Sequence, residues 1–260
     1  EGLFADNQEL RSSPRLAKSY VLAEDGRSMT IQLKTNVQWH DGQPFSADDV
    51  IFSIQAYKDK QTASPEHGRV AWIKAATASG RHTVALTFEG TEYSPQDKLH
   101  FKILPAHLFE GPSLKRTHPF RNTPVGTGPF KVEGFNPDNS ITMKRYAGYH
   151  SAAHFDEVTM REVSDPNYQS KLLIYQSLEA LVRVLPKDLA TLQNSRDISL
   201  YPYQTNSWWY MGFNHKIGRF KDSKLRKAIH HFVDVKQLLS PIGTGDILSG
   251  PFVKSSPFYN

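Results

Sequence analysis

The sequence predicts a mixed chain of hairpins and helices, of α/β or α+β class rather than an all-β sandwich. Three observations carry this. The earlier part holds apolar runs of period two, punctuated by Gly, Asp and Asn turns. The later part holds helical stripes that open at Pro or Asp. One stretch, Val37 to Ile54, carries a helix start signal directly after a turn.

The elements follow in order. In "SYVLAEDGRSMTIQLK", Asp25-Gly26 separates two runs, and Met29, Ile31 and Leu33 alternate with polar residues, which predicts a hairpin. "HTVALTF" puts Val84, Leu86 and Phe88 on one face of a strand. "GPFKVEGF" and "ITMKRY" flank "NPDNS" as a second hairpin, and "EVTMREV" follows as a strand. Pro166 and Pro186 stand where a helix's first N–H needs no partner, so helices are expected in "DPNYQSKLLIYQSLEA" and "PKDLATLQ". Asp222 is an N-cap for a helix with Leu225, Ile229, Phe232 and Val233 on one stripe, and Asp234 caps a shorter one after it.

Composition narrows the chemistry. The 260 residues are 38% hydrophobic and 22% charged, ordinary for a globular protein with a real core. The formal net charge of +5 comes from scattered bases and outlines no nucleic-acid stripe. The absence of cysteine excludes thiol catalysis, disulfides and Cys-ligated metal, and is permissive for an extracytoplasmic location. No apolar run approaches the roughly 20 residues that cross a bilayer. The opening "EGLFADN", without Met, reads as a processed or trimmed chain.

"VQWHDGQPFSADDVIFSI" looks chemical, with His40 beside Asp41 and two further acids. Each polar residue from Ser46 to Asp49 nevertheless has a scaffold role. Ser46 caps a helix and Asp49, three positions on, reaches back to it; Phe45 and Val50 form a hydrophobic staple; Asp48 and Asp49 suit the positive end of the helix dipole. In an extended segment His40 and Asp41 point to opposite faces, so they make a poor base–orienter pair.

This stretch also resembles the signature of the family 5 extracellular solute-binding proteins of ABC transporters, the dipeptide, oligopeptide and nickel group. Pro14 to Lys34, "PVGTGPFKVEGF" with "ITMKRYAGYH", "MGFNHKIGRFKDSKLRKAIHHFVD" and "SGPFVKSSPFYN" resemble further segments of that family in the same order. Where the family writes Gly-Glu-x-Asp, this chain has "YQSLEALVRVLP", with Ser177 and Glu179 and no Asp after them. The resemblance implies an α/β periplasmic-binding-protein type II architecture in its large three-subdomain form, with only lobe one and the start of lobe two present. Residues 1–122 would be the extra subdomain of lobe one, 123–207 its core, and 208–260 the hinge strand and start of lobe two. It implies capture of a short peptide by two-lobe closure and delivery to a membrane permease, in a monomeric, extracytoplasmic protein, lipid-anchored at full length. It implies no enzyme activity, no cofactor and no nucleic-acid partner. A chain of this extent is expected to bind weakly or not at all by itself. A ligand-sensing regulator domain and a carrier of a metal chelate such as nickel are the alternatives.

The ligand-binding residues read from the sequence are Trp208, Trp209, Tyr210, Asn206 and Asn214. Three consecutive rings in an expected strand cannot all face one core, so at least one projects the other way. Rings supply flat apolar area and the two amides hydrogen bonds. Other motifs read as scaffold. "PVGTGPF" lacks the lysine and spacing of a phosphate loop, so Gly126 and Gly128 are expected to serve a sharp turn into Phe130. His150 and His154 have a metal-like spacing but are expected in a solvated loop, and His230 and His231 diverge on a helix. No metal site and no catalytic residue is assigned.

Overall fold

The computed structural model describes residues 1–115, 117–205, 207–242 and 245–254. The chain divides into two compact units: Glu1–Asn7 with Arg11–Glu162, and Gln8–Leu10 with Val163–Asn260.

The first unit is built from antiparallel sheets. β1 (Phe4–Asp6) pairs with β2 (Ser12–Pro14). β3 (Ala17–Leu22), β4 (Ser28–Leu33), β5 (Ile73–Gly80) and β6 (Thr83–Phe88) form a four-stranded sheet in the order β3-β4-β6-β5. Gly26, at φ +66°, makes the turn between β3 and β4, a conformation that glycine adopts without strain. Pairing sets Met29 opposite Leu86 and Ile31 opposite Val84, so the apolar alternation of both strands falls on one face, and all four are buried.

Against this sheet packs α1 (Ala47–Lys58), which contacts β5 and β6. Ser46 and Asp49 form the expected capping box, with the Ser46 N–H donating to Asp49 Oδ2 at 2.9 Å. Phe45 and Val50, the staple, are buried, as are Ile54 and Tyr57 along the same stripe. They merge with Trp39, Leu86, Phe88, Leu99 and Phe101 into one hydrophobic cluster. A one-turn helix, α2 (His67–Val70), adds Val70 to it. A further sheet, β7 (Phe130–Phe135), β8 (Ser140–Arg145) and β9 (Glu157–Arg161), completes the unit. Its first turn places Asn139 at φ +60°, which asparagine tolerates better than most residues.

Among its described residues the second unit holds four α-helices, α3 (Pro166–Ile174), α4 (Pro186–Gln193), α5 (Ser223–Phe232) and α6 (Val235–Leu239). Their starts are those read from the sequence, Pro166 and Pro186 at the first turn and Asp222 and Asp234 accepting from backbone N–H groups, and the structure adds an Asp165 cap before Pro166. Only Ser170 and Leu192 are buried among its described residues. The strand expected over Trp208 to Asn214 is not formed. A strand exists only where a neighbour completes its ladder, and among the described residues this unit contains no strand.

Candidate functional site

The Val37–Ile54 stretch folds as a junction. Trp39 is buried, and its Nε1–H donates to Asp49 Oδ2 at 3.2 Å. Asp49 Oδ1 accepts from the Ala106 N–H at 2.9 Å, so one carboxylate joins turn, helix and the 103–106 segment. Ser53 strengthens that tie: its Oγ donates to the Asp49 carbonyl and accepts from the Leu104 N–H. Burial pushes the Asp49 carboxyl up, against the hydrogen bonds from Ser46, Ala106 and Trp39 that favour the anion.

His40 and Asp41 take different partners, as alternating side chains must. Asp41 Oδ2 pairs with His107 Nε2 at 2.7 Å on a partly exposed face. Burial raises the Asp41 carboxyl, but the bond from His107, the Gln43 N–H and the imidazole charge together hold it below the ordinary value. His40 turns to the glycines of "PVGTGPF". Its Nδ1 accepts from the Gly126 N–H at 3.1 Å, its Nε2 meets the Gly128 carbonyl at 3.0 Å, and its own N–H donates to the Gly126 carbonyl at 2.9 Å. The Tyr146 ring lies edge-on at 5.0 Å, with its hydroxyl donating to the Trp39 carbonyl.

The chain bends at residues 127–129 directly before Phe130, as expected for this segment, although neither Gly126 nor Gly128 has positive φ. Gly126 makes room: a Cβ on it would stand 3.2 Å from His40 Cε1. No signal in a linear reading joins this His to Gly126, 86 positions away. The expectation for His150 is corrected. Its side chain is 7% exposed and meets Glu1 Oε2 at 3.2 Å, with the Tyr149 ring beside it, while His154 is exposed. Among the described residues no three His, Cys, Asp or Glu side chains lie together as a metal site.

The aromatic segment lies in the second unit. Trp208 and Tyr210 stack at 4.8 Å with a 44° tilt. Trp209 points elsewhere and is 89% exposed, against 40% for Trp208. Residues i and i+2 sharing a side is the geometry of extended backbone even without a ladder. Asn214 Oδ1 accepts from the Lys216 N–H in a local turn, so its amide has N–H donors left to offer a ligand. Asn206 lies outside the described residues. An open surface groove, lined by Pro44, Ser46, Asp48, Ala78, Gly80 and Arg81, contains none of the ligand-binding residues read from the sequence.

The mixed helix–strand chain has periplasmic-binding-protein type II architecture. The chain belongs to the bacterial extracellular solute-binding proteins, family 5, whose middle region its residues 12–260 match. It is 24% identical over 250 residues to the oligopeptide-binding protein AppA of Bacillus subtilis, covering 94% of this chain and 46% of AppA. It is 24% identical to the glutathione-binding protein GsiB of Shigella boydii, covering 90% of this chain and 46% of GsiB. Among solved structures, NikZ from Campylobacter jejuni in complex with Ni(L-His) superposes with a TM-score of 0.80 at 27% identity, over 92% of this chain and 48% of NikZ. AppA from B. subtilis in complex with a nonapeptide superposes with a TM-score of 0.83 at 23% identity, over 100% of this chain and 53% of AppA. The chain thus spans about half the length of the proteins it matches.

Proposed function

We propose that this chain is part of the extracytoplasmic solute-binding component of an ABC importer, which captures short peptides by closure of two lobes and hands them to a permease. The observation that carries this is family membership over residues 12–260, in relatives named for oligopeptide and glutathione binding. The Trp208–Tyr210 pair and the solvent-facing Trp209 supply the type of surface that holds a peptide by its flat backbone and apolar side chains. Closure works by differential contact, since a ligand that touches both lobes only when they meet shifts the equilibrium toward the closed form. In this reading residues 1–122, 123–207 and 208–260 are the extra subdomain, the lobe-one core and the hinge with the start of lobe two. The protein acts as a monomer, carries no catalytic centre, and is held at the membrane by a lipid anchor in its full-length form.

A second reading, cargo in the form of a metal chelate, is favoured by the 27% identity to a protein solved with Ni(L-His). Native mass spectrometry of the protein isolated from its own extracytoplasmic fraction separates the two. Copurifying peptide masses are expected. A nickel–histidine adduct in their place would support the second reading, and a protein free of solute that also ignores a peptide library in calorimetry would sink the first.

A further inference from the structure

His40 bridges two loops through obligate backbone groups, and those groups fix its protonation state. The Gly126 N–H can only donate, so Nδ1 must carry a lone pair. The Gly128 carbonyl can only accept, so Nε2 must carry the proton. Both ends therefore demand the same neutral Nε2–H tautomer. A second proton on Nδ1 would face the Gly126 N–H, break that bond and leave a donor without an acceptor. From this geometry we infer that His40 is a pH-sensitive latch, which ties the Gly126 N–H to the 37–45 turn while neutral and loses that tie on protonation, loosening a loop that the Gly128 and main-chain bonds still hold.

The surroundings agree. Burial holds the ring's pKa below the ordinary histidine value, opposed by its bond to the Gly128 carbonyl. Lys131 of β7 also disfavours an imidazolium, and Asp41 beside it favours one. Asp41 has its own partner in His107. The phenol of Tyr146, beyond the end of β8, faces the ring and is engaged by the Trp39 carbonyl. Thr127, between the two glycines, is buried, so the loop that would be loosened is packed rather than already loose. The sign is definite. The unfolded or opened histidine binds a proton more readily than the closed one, so the closed state is fully stabilised above the ordinary value near 6.5 and loses ground as pH falls below it.

The test uses the full chain and follows two signals through a pH titration from about 8 to about 5: the imidazole nitrogen shifts of His40, and exchange of the Gly126 amide corrected for its intrinsic pH dependence. The expected result is the Nε2–H tautomer at high pH, with Gly126 protection falling as His40 titrates. The fall should reach about tenfold for each pKa unit between the closed and opened ring. His40→Asn provides the control, since its Oδ1 still accepts from Gly126 and does not titrate; its Gly126 protection should be flat over the same range. An Nδ1–H tautomer at high pH, wild-type protection indifferent to the titration of His40, or the same pH dependence in His40→Asn overturns the inference.

Discussion

The Trp39 indole donates to the Asp49 carboxylate at 3.2 Å, so a buried ring of one loop is fastened to the first turn of α1. The same carboxylate accepts from the N–H groups of Ser46 and Ala106. Three donors therefore depend on two oxygens that the helix cap places among them.

Asp49→Asn replaces one of those oxygens by an NH2 group facing donors. At least one N–H then loses its acceptor, at about 1–3 kcal/mol each for a buried group. Asp49→Ala removes both acceptor oxygens, leaves all three donors without them, and is expected to destabilise further. Equilibrium urea unfolding measures both. An Asn variant as stable as wild type would show that the junction does not depend on the carboxylate.

Asp41 and Asp49 should show opposite dependence on pH. Asp41 is held below 3.8, so its stabilisation is present above that value and is lost as pH falls through its folded pKa. Asp49 is raised above 3.8, so the native state binds its proton more readily than the unfolded one, and its share of stability falls as pH rises from 3.8 to its folded pKa. Subtracting the unfolding free energies of Asp41→Asn and Asp49→Asn from wild type on both sides of pH 3.8 should give slopes of opposite sign. Parallel slopes would mean that burial and hydrogen bonding are not balanced as the structure has them.

Gly126 and Gly128 should also part company. A Cβ on Gly126 would lie 3.2 Å from a His40 ring that two hydrogen bonds hold in place, whereas a Cβ on Gly128 meets nothing within 4 Å. Gly126→Ala is expected to cost about 1–3 kcal/mol by crowding, and Gly128→Ala no more than about 0.5 kcal/mol. Thermal unfolding of the two variants side by side decides it; equal effects would remove the close approach as the reason for glycine.

What the sequence made legible was local. The capping box at Ser46 and Asp49, the turn at Gly26, the alternation of β4 and β6 and the Asp and Pro helix starts are each written within a few residues, because their interactions close within one turn or one hairpin. The clasp from His40 to Gly126 spans 86 positions, and no local rule pairs an imidazole with a distant glycine amide. His150 was likewise unreadable, since its partner Glu1 is 149 positions away. The strand expected at Trp208 failed for the same reason in reverse: aromatic residues mark a segment able to pair, but pairing needs a neighbour.

The aromatic segment yields the prediction closest to function. Trp209 is almost fully exposed and Tyr210 is mostly so, so neither contributes much to the core, and truncating either should leave stability within about 0.5 kcal/mol of wild type. If these rings hold peptide, Trp209→Ala or Tyr210→Ala should weaken peptide binding about tenfold, near 1.4 kcal/mol, as loss of a ring contact does at binding surfaces. Trp208 is less exposed and stacks on Tyr210, so Trp208→Ala should disturb binding and stability together. Titration calorimetry with peptide and urea unfolding on the same samples separate these cases. Undiminished affinity in both the Trp209 and Tyr210 variants would move the recognition surface elsewhere, and a large stability loss in either would make that ring a packing element.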